Sequence, residues 1–195
     1  IVVMEVDARW ISDRAPLRSA YPFARLEPRG GNFGMALYSR RPLREVTTID
    51  LGEIDTPAIQ ATLATRTGDI SLLAIHPLPP VRRKNARLRN AQLAQAASVV
   101  PNDETPTMVV GDFNATPWSP AFGDLLRDAH LRDARCGRGI SPTWPVQFPS
   151  WLIRLPIDHA LVNDHVAIHR FQVLDDVGSD HLPLIIEVSV PGSTP

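Results

Sequence analysis

At 195 residues and 44% hydrophobic content, the chain can bury one sizeable core and sits at the upper end of single-domain size. Its formal net charge of −1 gives neither the basic field of a sequence-blind polyanion binder nor the acidic block of a solvating tail. Cys136, the one cysteine, excludes an internal disulfide and a cysteine-based zinc site, and no apolar run nears the about 18 residues of a membrane span.

Residues 1–6 read as a strand already under way, with neither an initiator Met nor a leading loop, so the chain is expected to begin inside a larger protein. Residues 7–19 are read as a helix and 34–39 as a strand. Strands 58–64 and 70–76 are joined through Gly68 too briefly for a crossover helix, so a hairpin is expected. Residues 81–99 predict a helix with Leu88, Leu93, Ala96 and Ala97 as its apolar stripe. Its basic start, Arg82, Arg83, Lys84, Arg87 and Arg89, reads as a solvated face in preference to a guide for polyanions. A strand at 108–112 follows, then a helix after Ser119 with Pro120 as its first residue. Residues 131–157, rich in Gly and Pro, form a long irregular segment whose Trp144 and Trp151 either wall a substrate or plug the core edge. Strands at 157–162, 168–174 and 184–190 complete one domain over 1–190, and 191–195 read as a flexible tail. Short hairpin-joined strands mixed with helices predict mixed sheets flanked by helices.

Polar groups recur where these strands end: Glu5, His76, Asp112 with Asn114, Asp158-His159 and Asp180-His181. Charged residues seldom terminate apolar strands this regularly unless they converge. Gly111-Asp112-Phe113-Asn114 follows the apolar run Met108-Val109-Val110. On an extended backbone Asp112 and Asn114 point the same way, so one can take a proton while the other orients a phosphate or water. Alone, the run is equally compatible with a turn in which Asp and Asn cap their own backbone.

Taken in order, these motifs resemble the endonuclease/exonuclease/phosphatase superfamily, which includes deoxyribonuclease-I-like nucleases, abasic-site nucleases, neutral sphingomyelinases and inositol-polyphosphate phosphatases. Met4-Glu5 is similar to that family's Gln-Glu step, with Met in place of Gln, and residues 34–40 to its Gly-x-Ala-x-x-Ser-Arg strand. Ile75-His76 resembles its Thr-His step, 111–114 its Gly-Asp-x-Asn run, and 156–159 and 179–181 its last two motifs. The agreement spans nearly the whole chain, as the carboxy-terminal three-quarters or more of such a domain. The implied fold is α/β (α+β): a two-sheet β-sandwich of mixed strands flanked by helices in four layers, lacking its first strand and helix.

The resemblance implies a divalent-metal-dependent phosphoesterase, acting on phosphodiesters by in-line attack of an activated water. Glu5 and Asp180 would be oxygen ligands for Mg²⁺ or Mn²⁺. Asp112 would activate the water, held by Asn114, whose amide can also donate to the phosphate. His181, paired with Asp158, would donate to the phosphate, and His76 would be a phosphate ligand or leaving-group acid. His159 is read as a half-buried structural histidine. The family's first strand also carries an Asn that fixes the metal-site carboxylate, and nothing before Glu5 supplies one, so weak metal binding and poor activity are expected.

Nucleic acid and phospholipid both remain open as substrates, no obligate protein partner is implied, and a membrane anchor outside this chain is conceivable. As given, the chain reads as soluble. The competing reading is a non-catalytic binding or scaffolding module that keeps the fold, which would have no need of this constellation.

Overall fold

The computed structural model describes residues 1–52, 54–147 and 149–190, with only the backbone described for Ser150 and Trp151. The expected tail at 191–195 and the Trp151 side chain therefore lie outside the described residues. In chain order the elements are β1 (Val2–Met4), α1 (Ala8–Asp13), α2 (Leu17–Ala20), β2 (Phe23–Glu27), β3 (Met35–Ser39), β4 (Leu43–Asp50), β5 (Pro57–Ala64), β6 (Asp69–Ile75), α3 (Arg83–Val99), β7 (Thr107–Asp112), α4 (Pro120–Asp128), β8 (Arg132–Asp133), a 3₁₀ turn (Ser150–Ile153), β9 (Asp158–Val162), β10 (Ala167–Val173) and β11 (Leu184–Ser189).

A six-stranded mixed sheet in the order β4-β5-β6-β7-β9-β8 forms the centre, with a three-stranded sheet β1-β3-β2 and the hairpin pair β10-β11 beside it. The β6–β7 pair is parallel, a geometry that requires a crossover, and α3 supplies it. Period-two alternation divides the core. Leu72, Ala74 and the partly buried Met108 and Val110 face the three-stranded sheet's Met35 and Leu37, whereas Leu73, Ile75 and Val109 face Leu93, Ala96 and Ala97 of α3 and Phe122 and Leu125 of α4. Outside the smaller sheet, Ala36 and Tyr38 pack with Trp10, Ile11 and Leu17 from α1 and α2. The result is the expected four-layer sandwich.

Local chemistry sets the element ends. Asp7 caps α1 by accepting the Trp10 N–H at 2.6 Å, and Pro16 divides the single helix expected over 7–19 into two short ones. α3 stops at Val99, because Pro101 drives Val100 into extended conformation. Three strands, β2, β4 and the two-residue β8 inside the segment expected to be irregular, were not anticipated. β4 is an edge strand whose exposed Arg44, Glu45 and Asp50 protect it from pairing but obscure its alternation, and a register shift between Arg44 and Thr47 breaks the pattern further. The reading of the α3 arginines also needs correction. Arg82, Arg83, Lys84 and Arg87 are exposed as expected, whereas Arg89 lies on the buried stripe at 8% exposure.

Candidate active site

The ends of β6 and β7 and the start of β9 lie at one end of the central sheet's strands, and the end of β1 from the smaller sheet reaches the same place, its Met4 beside Gly111. The β10–β11 loop brings Asp180 and His181 to the same place. Asp112, the last residue of β7, stands directly across from Asp158 in the antiparallel β7–β9 register. Like charges in that position repel, so the arrangement needs a cation between them. His181 provides it: Nδ1 donates to Asp158 Oδ2 at 2.8 Å, and Nε2 lies 3.9 Å from Asp112 Oδ2. His76 Nε2 approaches the same Asp112 oxygen at 3.6 Å.

Gly111 makes this placement feasible. Its φ of +143° lies where only glycine is at ease, and a Cβ there would fall 1.9 Å from the Ile75 carbonyl oxygen. Beyond Asp112 the backbone does not stay extended. Asn114 has φ 47°, and its N–H donates to Asp112 Oδ1 at 2.7 Å. The two expectations for this run thus merge: it is an Asx turn, and the turn, not strand alternation, sets Asn114 beside Asp112. One Asn114 Nδ2 hydrogen goes to the Pro77 carbonyl at 2.9 Å, leaving the second available.

Burial orders the protons. Asp112, 5% exposed, is pushed up to about 7 by burial and then by the Asp158 charge, against His181 and the Asn114 N–H. His76, 6% exposed, is driven down to about 4 by burial and then by His181, and its buried Nδ1 has no hydrogen-bond partner among the described residues. Burial also opposes charge on His181, but the Asp158 hydrogen bond and charge, with Asp112 and Asp180, outweigh it and lift the imidazole to about 9.

Glu5 follows β1 with φ 60°, in a turn fixed by Val6 N–H to the Gly34 carbonyl and Arg29 N–H to the Val6 carbonyl, both at 3.2 Å. Gly34 is obligatory there, since a Cβ would sit 1.7 Å from Val6 O. Burial and then the Asp180 charge raise the Glu5 carboxyl, so the two carboxylates share one neighbourhood. Two hard oxygen donors whose repulsion a divalent ion relieves suit Mg²⁺ or Mn²⁺. Asp112, Asp158 and His181 also offer ligand atoms within 4.8 Å of one another. Their imidazole is held as a cation with Nδ1 already donating, so that trio fits a hydrogen-bonded relay better than a metal cage.

His159 is more buried than expected, at 1% exposure. Nε2–H donates to the Ala115 carbonyl at 2.7 Å, Nδ1 accepts from Arg135 at 2.9 Å, and the ring packs between Phe113 and Phe122. It supports the turn after Asn114. Sequence reading missed several contacts at the site. Asn32 lies close enough to the Glu5 carboxyl to offset part of the rise in its proton affinity, and half-buried Trp144 donates Nε1–H to Asp180 Oδ2 at 3.3 Å, its ring 6.2 Å from that of His181. Trp144 was flagged only as a wall or plug, and the Gly30-Gly31-Asn32 run carries no sequence signal of a carboxylate partner distant in the chain.

Four layers with acidic and histidine groups gathered at one end of the central strands define the deoxyribonuclease-I-like class. The chain belongs to the Endonuclease/Exonuclease/phosphatase family, which matches residues 1–181. It is similar in structure to an endonuclease/exonuclease/phosphatase from Beutenbergia cavernae at 20% identity and TM-score 0.78, covering 98% of this chain and 62% of that one. It is also similar to the 3′ phosphatase NExo from Neisseria bound to a product DNA hairpin, at 16% identity and TM-score 0.75, covering 96% and 88%. D. rerio TDP2 complexed with a single-stranded DNA product aligns at 14% identity and TM-score 0.78, covering 97% and 85%. No curated protein sequence matches this chain. Among the described residues no helix is long and apolar enough to cross a membrane.

Proposed function

We propose that the domain hydrolyses phosphodiester bonds with the help of a divalent cation, using Asp112 as the base. The observation that carries this reading is the convergence of His76 and His181 on one buried carboxylate oxygen of Asp112, at 3.6 and 3.9 Å. A carboxyl poised near 7 can accept a proton at neutral pH, which an ordinary exposed Asp does only weakly. The attacking water gives its proton to Asp112 as its oxygen bonds to phosphorus opposite the departing oxygen. Asn114 orients the water or phosphate with its free amide hydrogen. His181, held charged by Asp158, donates from Nε2 to a phosphoryl oxygen. His76 is too deeply buried to carry a stable positive charge, so a neutral N–H toward the phosphate suits it better than the leaving-group acid role. Held by Glu5 and Asp180, Mg²⁺ or Mn²⁺ would neutralise charge on the phosphoryl oxygens.

A nucleic-acid strand is the substrate we favour, supported by the DNA products held by the Neisseria and D. rerio proteins of the same fold. The test is turnover of bis(p-nitrophenyl) phosphate and of a single-stranded oligonucleotide against a Mn²⁺ titration. Asp112→Asn is expected to lower kcat by about 10³-fold. Undiminished turnover in that variant would refute the role of Asp112, and indifference to Mn²⁺ would refute the metal.

A further inference from the structure

One face of α3 reaches both loops that carry the candidate catalytic groups. Arg89 is 8% exposed, and its guanidinium donates to the Asn114 carbonyl and, from Nε, to Asn90 Oδ1 at 2.8 Å. Three residues on, Gln92 is 1% exposed, accepts the Leu78 N–H on Oε1 at 2.9 Å, and donates from Nε2 to Thr56 Oγ1. Residues at this spacing share a helix face, so the Asn114 turn and the His76-Pro77-Leu78 segment hang from adjacent rungs. The Asn114 Nδ2 to Pro77 O bond ties the two loops to each other as well.

Such residues are costly where they stand. Leu93, Ala96 and Ala97 continue the same stripe as ordinary core, and a buried guanidinium carries a desolvation cost that an aliphatic side chain avoids. Among the described residues, the hydrogen bonds of Arg89 run to an amide and a carbonyl rather than to a carboxylate.

We infer that Arg89 and Gln92 are positioning residues, a clamp on α3 that sets the spacing between the His76 and Asn114 loops and so aims both at one phosphate. The inference rests on the reading of Asp112 as the catalytic base. It is tested with Arg89→Met, Arg89→Lys, Gln92→Leu and, as a control on the exposed face, Arg87→Met. Turnover of bis(p-nitrophenyl) phosphate with Mn²⁺ is measured together with amide hydrogen exchange at Leu78 and at residues 113–115. Arg89→Met should lower kcat about 10- to 100-fold with KM changed less than about threefold, the size expected for misplacement by about 1 Å. Arg89→Lys, which keeps a donor, should recover most of that loss. Gln92→Leu should speed exchange at Leu78, Arg89→Met should speed it at 113–115, and Arg87→Met should change nothing. Wild-type kcat and wild-type exchange in Arg89→Met would overturn the clamp, as would a kcat loss that Arg89→Lys does not relieve. Should the unmutated chain hydrolyse nothing, the functional reading falls while the exchange data still decide the clamp.

Discussion

Gly111→Ala is the most severe single-methyl change the structure offers at this site. The added Cβ would lie 1.9 Å from Ile75 O, 3.1 Å from Ile75 C and 2.9 Å from Met4 Cε. Met4 can swing its terminal methyl aside, but the Ile75 carbonyl belongs to the β6–β7 ladder, where Ile75 and Gly111 are register partners. Restoring a tolerable carbon–oxygen distance of about 3.3 Å parts the strands by about 1.4 Å. That displacement sacrifices one or two ladder hydrogen bonds at about 1 kcal/mol each, and the positive φ adds about 1–3 kcal/mol of strain. A loss of about 2–5 kcal/mol follows, or a fall in the urea midpoint of about 1–2.5 M at a slope of about 2 kcal/mol/M. Gly123 supplies the control. It lies inside α4 with nothing within 4 Å of a new Cβ, so Gly123→Ala should stabilise by about 0.5–1 kcal/mol. A Gly111→Ala midpoint within about 0.5 M of wild type, with turnover intact, would refute the reasoning.

Asp158→Asn should drop the His181 pKa from about 9 toward its ordinary value, read from imidazole proton shifts in NMR. Because the folded pKa is raised, the stability His181 contributes is complete below about 6.5 and is lost as pH rises through about 9. Unfolding free energy should therefore fall by about 3 kcal/mol over that window in wild type and by less in Asp158→Asn. His76 has the opposite sign. Its folded pKa near 4 means the unfolded chain takes up a proton first as pH falls below about 6.5, so stability declines down to pH 4, by about 3 kcal/mol. His76→Gln should flatten that limb in a comparison of denaturation curves at pH 6.5 and 4.5, and an unchanged limb would show that His76 is not held neutral. Mn²⁺ should raise Tm in wild type, and Glu5→Gln and Asp180→Asn should each reduce the rise.

The architecture was legible because period-two alternation and the polar strand ends are local signals. Leu72-Leu73-Ala74-Ile75 ahead of His76 and Met108-Val109-Val110 ahead of Asp112 announce buried strands whose ends meet whenever the strands are neighbours. Edge strands were hidden for the converse reason, since β4 carries charge where alternation would show. Arg89 was misread because composition made arginine look like generic surface, and only tertiary packing distinguishes it from Arg87 two residues earlier. Asn32 and Trp144 meet Glu5 and Asp180 across long sequence separations, where no spacing rule operates. The Gly-Asp-x-Asn run was read as either a turn or a site. The structure joins the two readings, because the left-handed Asn114 brings its own N–H back onto Asp112.

The same burial that closes the core inverts proton affinities at its edge. In water a histidine holds its proton more tightly than an aspartic acid, yet His76 falls to about 4 while Asp112 rises to about 7. Asp158 acts on both sides of this inversion: its charge raises Asp112 across the β7–β9 pair and, through the 2.8 Å hydrogen bond, raises His181. A single carboxylate thereby separates a base that is half-ionised near neutrality from a cation that stays charged beside it. Removing Asp158 should lower both affinities together, so a pH–rate profile for Asp158→Asn should shift both limbs toward acid rather than one alone. If only the alkaline limb moved, Asp112 would owe its affinity to burial alone, and the coupling across the strand pair would be absent.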